Sequence, residues 1–165
     1  MNHNNKSYSF KDFLPLIIIF LLIIAFTLIR QWYMEFNIQN AMYDFMAAFF
    51  LIFGFFKIIN LAGFAEAYST YDIVAQRFFA YGYIYPFIEI ILGFCYLLRY
   101  QLTIANWVTL ILMFISSMGV AIELRKQKEI TCACLGAVFK IPMTYVTLAE
   151  DVIMGLMALY MLMVQ

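Results

Sequence analysis

The sequence predicts an all-α polytopic membrane protein: a bundle of about five transmembrane helices, with a four-helix core made by the second to fifth. Three observations carry this. Of 165 residues, 66% are hydrophobic and 12% charged, against roughly 45–50% and about 25% in a soluble domain. Mean hydropathy is +0.89. Apolar runs of about 18 residues recur along the chain, the length that crosses a hydrocarbon core. The lipid bilayer is therefore the first partner implied. Net charge is zero, so neither nucleic acid nor any other polyanion is implied as a partner.

Residues 1–12 are polar and are expected to be disordered. The first helix is expected over 13–29, with Arg30, Trp32 and Tyr33 as an interfacial anchor. No small-residue cleavage site follows it, so it is expected to stay as a span. The second helix is expected over 41–59. Residues 60–81 are too polar to span, being interrupted by Asn60, Glu66, Asp72 and Arg77 among others. Their aromatics Phe64, Tyr68, Tyr71 and Phe78 predict a segment lying in the interface. A third helix follows over 83–98, with Pro86 in its first turn, and a fourth over 102–122. The charge run 123–129 leads into the loop that carries Cys132 and Cys134, and Pro142 signals the start of a fifth helix over 143–164. Gly54, Gly93, Gly119 and Gly155 fall within spans, where small residues let helices approach. The expected organisation is a disordered segment 1–12, an additional N-terminal span and connection 13–40, and a four-helix membrane domain 41–165.

Five spans put the N-terminus, the 60–81 connection and the 123–142 loop on one side. Lys6, Lys11, Lys57, Arg77, Arg125, Lys126, Lys128 and Lys140 lie there, against Arg30 and Arg99 on the other. Basic residues favour the cytoplasmic face. The expected location is a bacterial inner membrane, with the N-terminus and the cysteine loop in the cytoplasm.

Ionisable groups inside a span cost roughly 2.5–3.5 kcal/mol each on insertion scales. Asp44, Glu89, Glu150 and Asp151 therefore need a reason. Glu89 and Glu150 each lie about seven residues into an expected helix, some 10 Å deep. Lys57 nears the same level from the second helix and can snorkel or pair with a carboxylate. Two readings follow: a polar chamber that binds a cation or relays protons, or a hydrogen-bonded knot with partners such as Thr147 and Tyr85. Glu150 and Asp151 are about 100° apart on a helix, so only one is expected to face the centre comfortably. Asp44 is expected at the opposite interface.

Cys132-Ala133-Cys134 is the candidate chemical centre, since two of the three cysteines share one triplet. The spacing suits chelation of a soft ion such as Cu(I) or Hg(II). It equally suits a strained disulfide, and strained disulfides are labile or catalytic. Lys126, Lys128 and Lys140 favour the thiolate that both chemistries require. Cys95 is expected to be a packing residue. The stripe Met154, Met157 and Met161 is expected to pack, with a thioether path for Cu(I) as the alternative. No Walker A, GxGxxG, HExxH or nucleophile-elbow signature occurs.

These residues resemble the MauE/DoxX group of redox-associated membrane proteins. The resemblance runs over about 46–157 and rests on Phe56-Lys57-Ile-Ile-Asn60-Leu-Ala-Gly-Phe-Ala-Glu66, Tyr71-Asp72-Ile, Tyr83-Ile-Tyr-Pro86-Phe-Ile-Glu89, Cys132-Ala-Cys134-Leu-Gly136, Pro142-Met-Thr144 and Thr147-Leu-Ala-Glu150-Asp151. It implies a four-helix core with the first helix as an addition. It also implies a thiol–disulfide role for Cys132 and Cys134, of the kind by which MauE supports disulfide formation or maturation in methylamine utilisation. Some similar proteins carry a heavy-metal-associated domain before the first helix, where this chain has about 12 residues. Leu135 stands where MauE's own pattern has Phe, so the broader group is matched better than the methylamine role. The expected function is thiol–disulfide exchange with a partner thiol protein, needing no cofactor. The alternatives are a soft-metal transporter or delivery protein, served by a metallochaperone and using the same pair, and a non-catalytic assembly subunit. The charge count places the thiols inside, whereas maturation of an exported enzyme needs them outside. The oligomeric state is left open.

Overall fold

A computed structural model describes residues 13–33, 36–126, 131–132, 141–142 and 145–164. Their order is α1 (Leu14–Tyr33), α2 (Ile38–Ile59), α3 (Leu61–Tyr68), α4 (Ile73–Arg77), α5 (Phe79–Leu97), α6 (Leu102–Arg125), β1 (Thr131–Cys132), β2 (Ile141–Pro142) and α7 (Tyr145–Val164). Five helices are long and apolar enough to cross a membrane: α1, α2, α5, α6, and α7 over Thr147–Val164. The protein is thus a polytopic all-α bundle, with β1 and β2 forming only a two-residue antiparallel ladder.

The bundle is built from two close helix pairs, α2 on α5 and α6 on α7, with α1 laid against α2. Small residues make the close contacts. A Cβ on Gly54 would meet Ile90 at 3.0 Å and the Pro86 carbonyl at 3.2 Å. The aromatic core of α2 packs ring on ring, Phe49 and Phe53 stacking at 4.3 Å and Phe50 lying over Tyr96 of α5 at 6.0 Å. The Tyr96 hydroxyl lies 2.9 Å from both Asn106 Oδ1 and Thr109 Oγ1, joining α5 to α6. The outer faces carry Leu21, Ile91, Phe114 and Leu156 exposed. Apolar surface of that kind belongs against lipid.

Helix ends differ from the sequence expectation for local reasons. α2 begins at Ile38 because the Asn37 side chain accepts from the backbone N–H of Gln39 (2.9 Å) and Asn40 (3.4 Å), as a helix N-cap does. α5 begins at Phe79, so Pro86 stands inside the helix and not in its first turn. A proline there removes one i→i−4 hydrogen bond and crowds the carbonyl four residues back. That residue is Gly82, which itself packs tightly on Ala65 of α3.

The 60–78 connection turns most of its aromatics into the protein. It forms α3 and α4, which pack on α5. Phe64, Tyr68 and Tyr71 are buried, and of the four aromatics expected in the interface Phe78 alone is exposed. Asp72 fixes the turn between the two helices. Its Oδ1 accepts from the backbone N–H of Val74 (2.9 Å) and Ala75 (2.8 Å), and its Oδ2 accepts from the Tyr68 hydroxyl (2.9 Å). Burial, reinforced by Tyr85 and by the Asp72 charge, pushes the Tyr68 hydroxyl well above its ordinary pKa. Gly119 of α6 lets this turn seat, since a Cβ there would lie 2.6 Å from the Tyr71 carbonyl oxygen.

Candidate functional site

Lys57, two residues from the end of α2, is buried inside the bundle. Its ammonium lies 2.5 Å from Oε1 of Glu89 on α5, and both side chains are almost wholly shielded. Two aromatic faces complete the cation's shell, Tyr85 at 4.9 Å and Phe64 at 5.5 Å from ring centre to Nζ. That arrangement attracts a cation through the ring quadrupole. α7 brings Glu150 and Asp151 to the same place, and the Ser116 hydroxyl of α6 donates to Asp151 Oδ2 at 2.6 Å. These groups, with Thr147, line one enclosed cavity of about 30 Å³, and Phe64 and Tyr68 of α3 help to close it. The volume suits about one or two water molecules.

The structure therefore brings Lys57, Glu89, Glu150 and Asp151 together. Two details differ from the helical arithmetic. Glu89 lies about ten residues along α5, roughly 15 Å from its start, because the first turns of α5 are spent packing on α3 and α4. Glu150 and Asp151 also both line the cavity. A 100° separation is narrow enough for adjacent side chains to border one cavity from its two sides.

Asp44, expected at the opposite interface, is fully buried within the protein. Oδ1 takes Arg99 at 2.7 Å and Arg30 at 3.4 Å, and Oδ2 takes the Gln31 amide at 3.1 Å. Arg30 is thus a bundle residue as much as an anchor, while Trp32 and Tyr33 beside it are exposed. Arg99 sits at φ 55° and Gln101 at φ 49° in the α5–α6 turn. Those are left-handed values that side-chain-bearing residues adopt only when held. Arg99 holds itself there through Asp44 and through the carbonyls of Tyr96 (2.7 Å) and Asn40 (3.1 Å). The sequence signal for this lock was present: an acid early in one span, with one arginine on each neighbouring turn of the same side.

Of the cysteine pair, the backbone of Cys132 lies in β1, opposite Ile141, and β1 packs against α3. Cys134 lies outside the described residues, as do Lys128 and Lys140. Cys95 is a half-buried free thiol packed against the core, and Met154 and Met161 are core residues. Among the described residues no group of three His, Cys, Asp or Glu is placed to hold a metal ion.

Fold and site together define an integral membrane helix bundle with a charged, enclosed chamber near one end. The family model described as methylamine utilisation protein MauE matches residues 35–164. The chain belongs to the MauE family. No curated protein and no solved structure matches it.

Proposed function

We propose that this MauE-family protein exchanges electrons with a partner thiol protein through Cys132 and Cys134. The observation that carries the proposal is the Cys132-Ala133-Cys134 triplet inside the stretch matched to the family. In the oxidised form the two sulfurs share a disulfide. A partner thiolate attacks one of them, forming a mixed disulfide and expelling the other as thiolate. A second partner thiolate then displaces the mixed disulfide. The partner leaves oxidised and Cys132 and Cys134 remain as the reduced pair, two electrons richer; the reverse sequence reduces a partner. Closure of so small a ring strains the disulfide, which favours exchange over storage. No cofactor takes part in these steps.

The excess of basic residues supports a cytoplasmic loop in an inner membrane, and so a partner that meets the loop from that side. Labelling of Cys132 in intact cells by a membrane-impermeant maleimide would place the loop outside and favour an exported partner.

The test is capture of the mixed disulfide. Cys134→Ser leaves Cys132 without a resolving thiol, so a partner adduct should accumulate on non-reducing gels and vanish with reductant. Cys132→Ser/Cys134→Ser should capture nothing. An empty lane for the single variant, with a stoichiometric soft metal on the purified wild type that the double variant lacks, would replace this function with metal delivery.

A further inference from the structure

We propose that the enclosed chamber between α2, α5, α6 and α7 is a proton-binding site, in which Asp151 and Glu89 take up a proton through confined water. The proposal goes beyond thiol exchange and stands without it.

The argument starts from charge. Lys57 is the one ammonium lining the cavity among the described residues, and it is committed to Oε1 of Glu89. Tyr85 stands beside the same carboxyl, yet Oε2 of Glu89 is buried with no partner of hydrogen-bonding geometry among the described residues. Asp151 receives the Ser116 hydroxyl, and no cation among the described residues forms an ion pair with it. Two carboxylates, those of Glu89 and Asp151, thus face one ammonium. Asp151 is half-buried and also borders an apolar groove between α6 and α7, so neither side offers it much water. A carboxylate without a paired counter-charge is unfavourable in so poorly solvated a place, and neutralisation relieves it. Lys57 also acts on Asp151 at longer range, but Glu89 and Asp72 oppose it with negative charge. Asp72's own carboxylate is satisfied by Tyr68 and two backbone N–H groups. Tyr68, Tyr71 and Tyr85 border the cavity, Tyr81 lies within electrostatic reach of Glu89, and α6 offers only the Ser116 hydroxyl.

The choice of a proton over a metal ion follows from geometry. The acidic groups described are not gathered as a metal-ligating set. The cavity has room for about one or two waters, enough to pass a proton between carboxyls that do not touch. Its place in the fold gives it a neighbour. Phe64 and Tyr68 of α3 border the cavity, and β1, which carries Cys132, packs on α3. The bundle thereby keeps a proton acceptor on the far side of α3 from β1.

The experiment is a pH titration of the full-length protein in lipid nanodiscs, followed by infrared difference spectroscopy of the carboxylic-acid C=O stretch. Wild type should show the band of a buried protonated carboxyl that titrates as one proton. Asp151→Asn should lose it. Ser116→Ala should keep the band but move its frequency and its titration midpoint, an effect that a merely structural serine would not produce and one that remains readable if the Asp151 variant fails to fold. Cys132→Ser/Cys134→Ser should leave the titration unchanged, so failure of the thiol function and failure of this site are separate results. A wild-type spectrum without the band at any pH where the protein is folded would overturn the proposal. So would a band that survives both Asp151→Asn and Glu89→Gln, or a Ser116→Ala spectrum identical to wild type.

Discussion

Replacing Lys57 with methionine is the sharpest perturbation of the chamber. The substitution keeps the length and most of the volume of the side chain and removes its charge. Lys57 and Glu89 have side-chain exposures of 7% and 1%, so solvent screens the pair little. Removing one member of such a pair leaves the other buried and uncompensated, at a cost of about 3–5 kcal/mol. The two aromatic contacts to the ammonium are lost as well, each worth about 0.5–2 kcal/mol, which places Lys57→Met in the upper part of that range. Lys57→Met/Glu89→Gln removes both charges and should recover a large part of the loss. Reversible unfolding in mixed micelles, titrated with a denaturing detergent and followed by circular dichroism, gives the four corners of the cycle. The expected coupling is about 2 kcal/mol or more, within the span measured for contacting residues. A Lys57→Met variant within about 0.5 kcal/mol of wild type, a typical exposed-site effect, would refute the buried-pair account. So would additive single and double variants.

Three other outcomes follow from the packing and hydrogen bonds. Gly119→Ala forces a Cβ to 2.6 Å from the Tyr71 carbonyl and should cost about 1–3 kcal/mol by overpacking, whereas Gly155→Ala meets only Met113 at 3.5 Å and should gain up to about 1 kcal/mol in helix propensity; the same unfolding titration compares them. Asp44→Asn removes the charge that pairs with Arg99 and Arg30 and the second oxygen that accepts from Gln31, and should cost about 1.5–3 kcal/mol, the worth of a hydrogen bond to a charged group, with faster proteolysis at the α5–α6 turn as a second readout. Tyr68→Phe removes the donor to buried Asp72 and should cost about 1–3 kcal/mol at neutral pH. The native state holds the Tyr68 proton more tightly than the unfolded chain, whose ordinary value is 10.0. Its contribution is therefore intact below pH 10 and is lost as pH climbs toward the folded value. Stability of wild type should fall above pH 10, and Tyr68→Phe should fall less steeply.

The five spans were legible because hydropathy over about 18 residues is a long-range average that single polar residues do not upset. Their ends were not, since local contacts decide them: the Asn37 cap carries α2 back to Ile38, and α5 begins at Phe79, where no side chain caps it and its first turns pack on α3 and α4. Lys57, Glu89, Glu150 and Asp151 stood out in the sequence because charge inside an apolar run is conspicuous. Thr147 and Tyr85 were readable as partners because each lies close in sequence to a carboxylate, whereas Ser116 blends into the composition of its helix, and only packing shows that it borders the same cavity. The inward turn of Phe64, Tyr68 and Tyr71 was hidden for a different reason. Aromatics with scattered polar residues describe an interfacial segment and a packed cap equally well, and the Asp72 cap and the glycine at 119 decide between them. The burial of Asp44 was not legible because position along a span gives depth but not facing.

Differential alkylation of native membranes, read by mass spectrometry of the Cys132–Cys134 peptide, tests the central claim most directly. Free thiols are blocked with a light reagent, disulfides are reduced, and the newly freed thiols are blocked with a heavy one. Thiol exchange predicts that Cys132 and Cys134 change label together between oxidising and reducing growth, while Cys95 stays light throughout. Cys132 and Cys134 that remain light in every condition would contradict it.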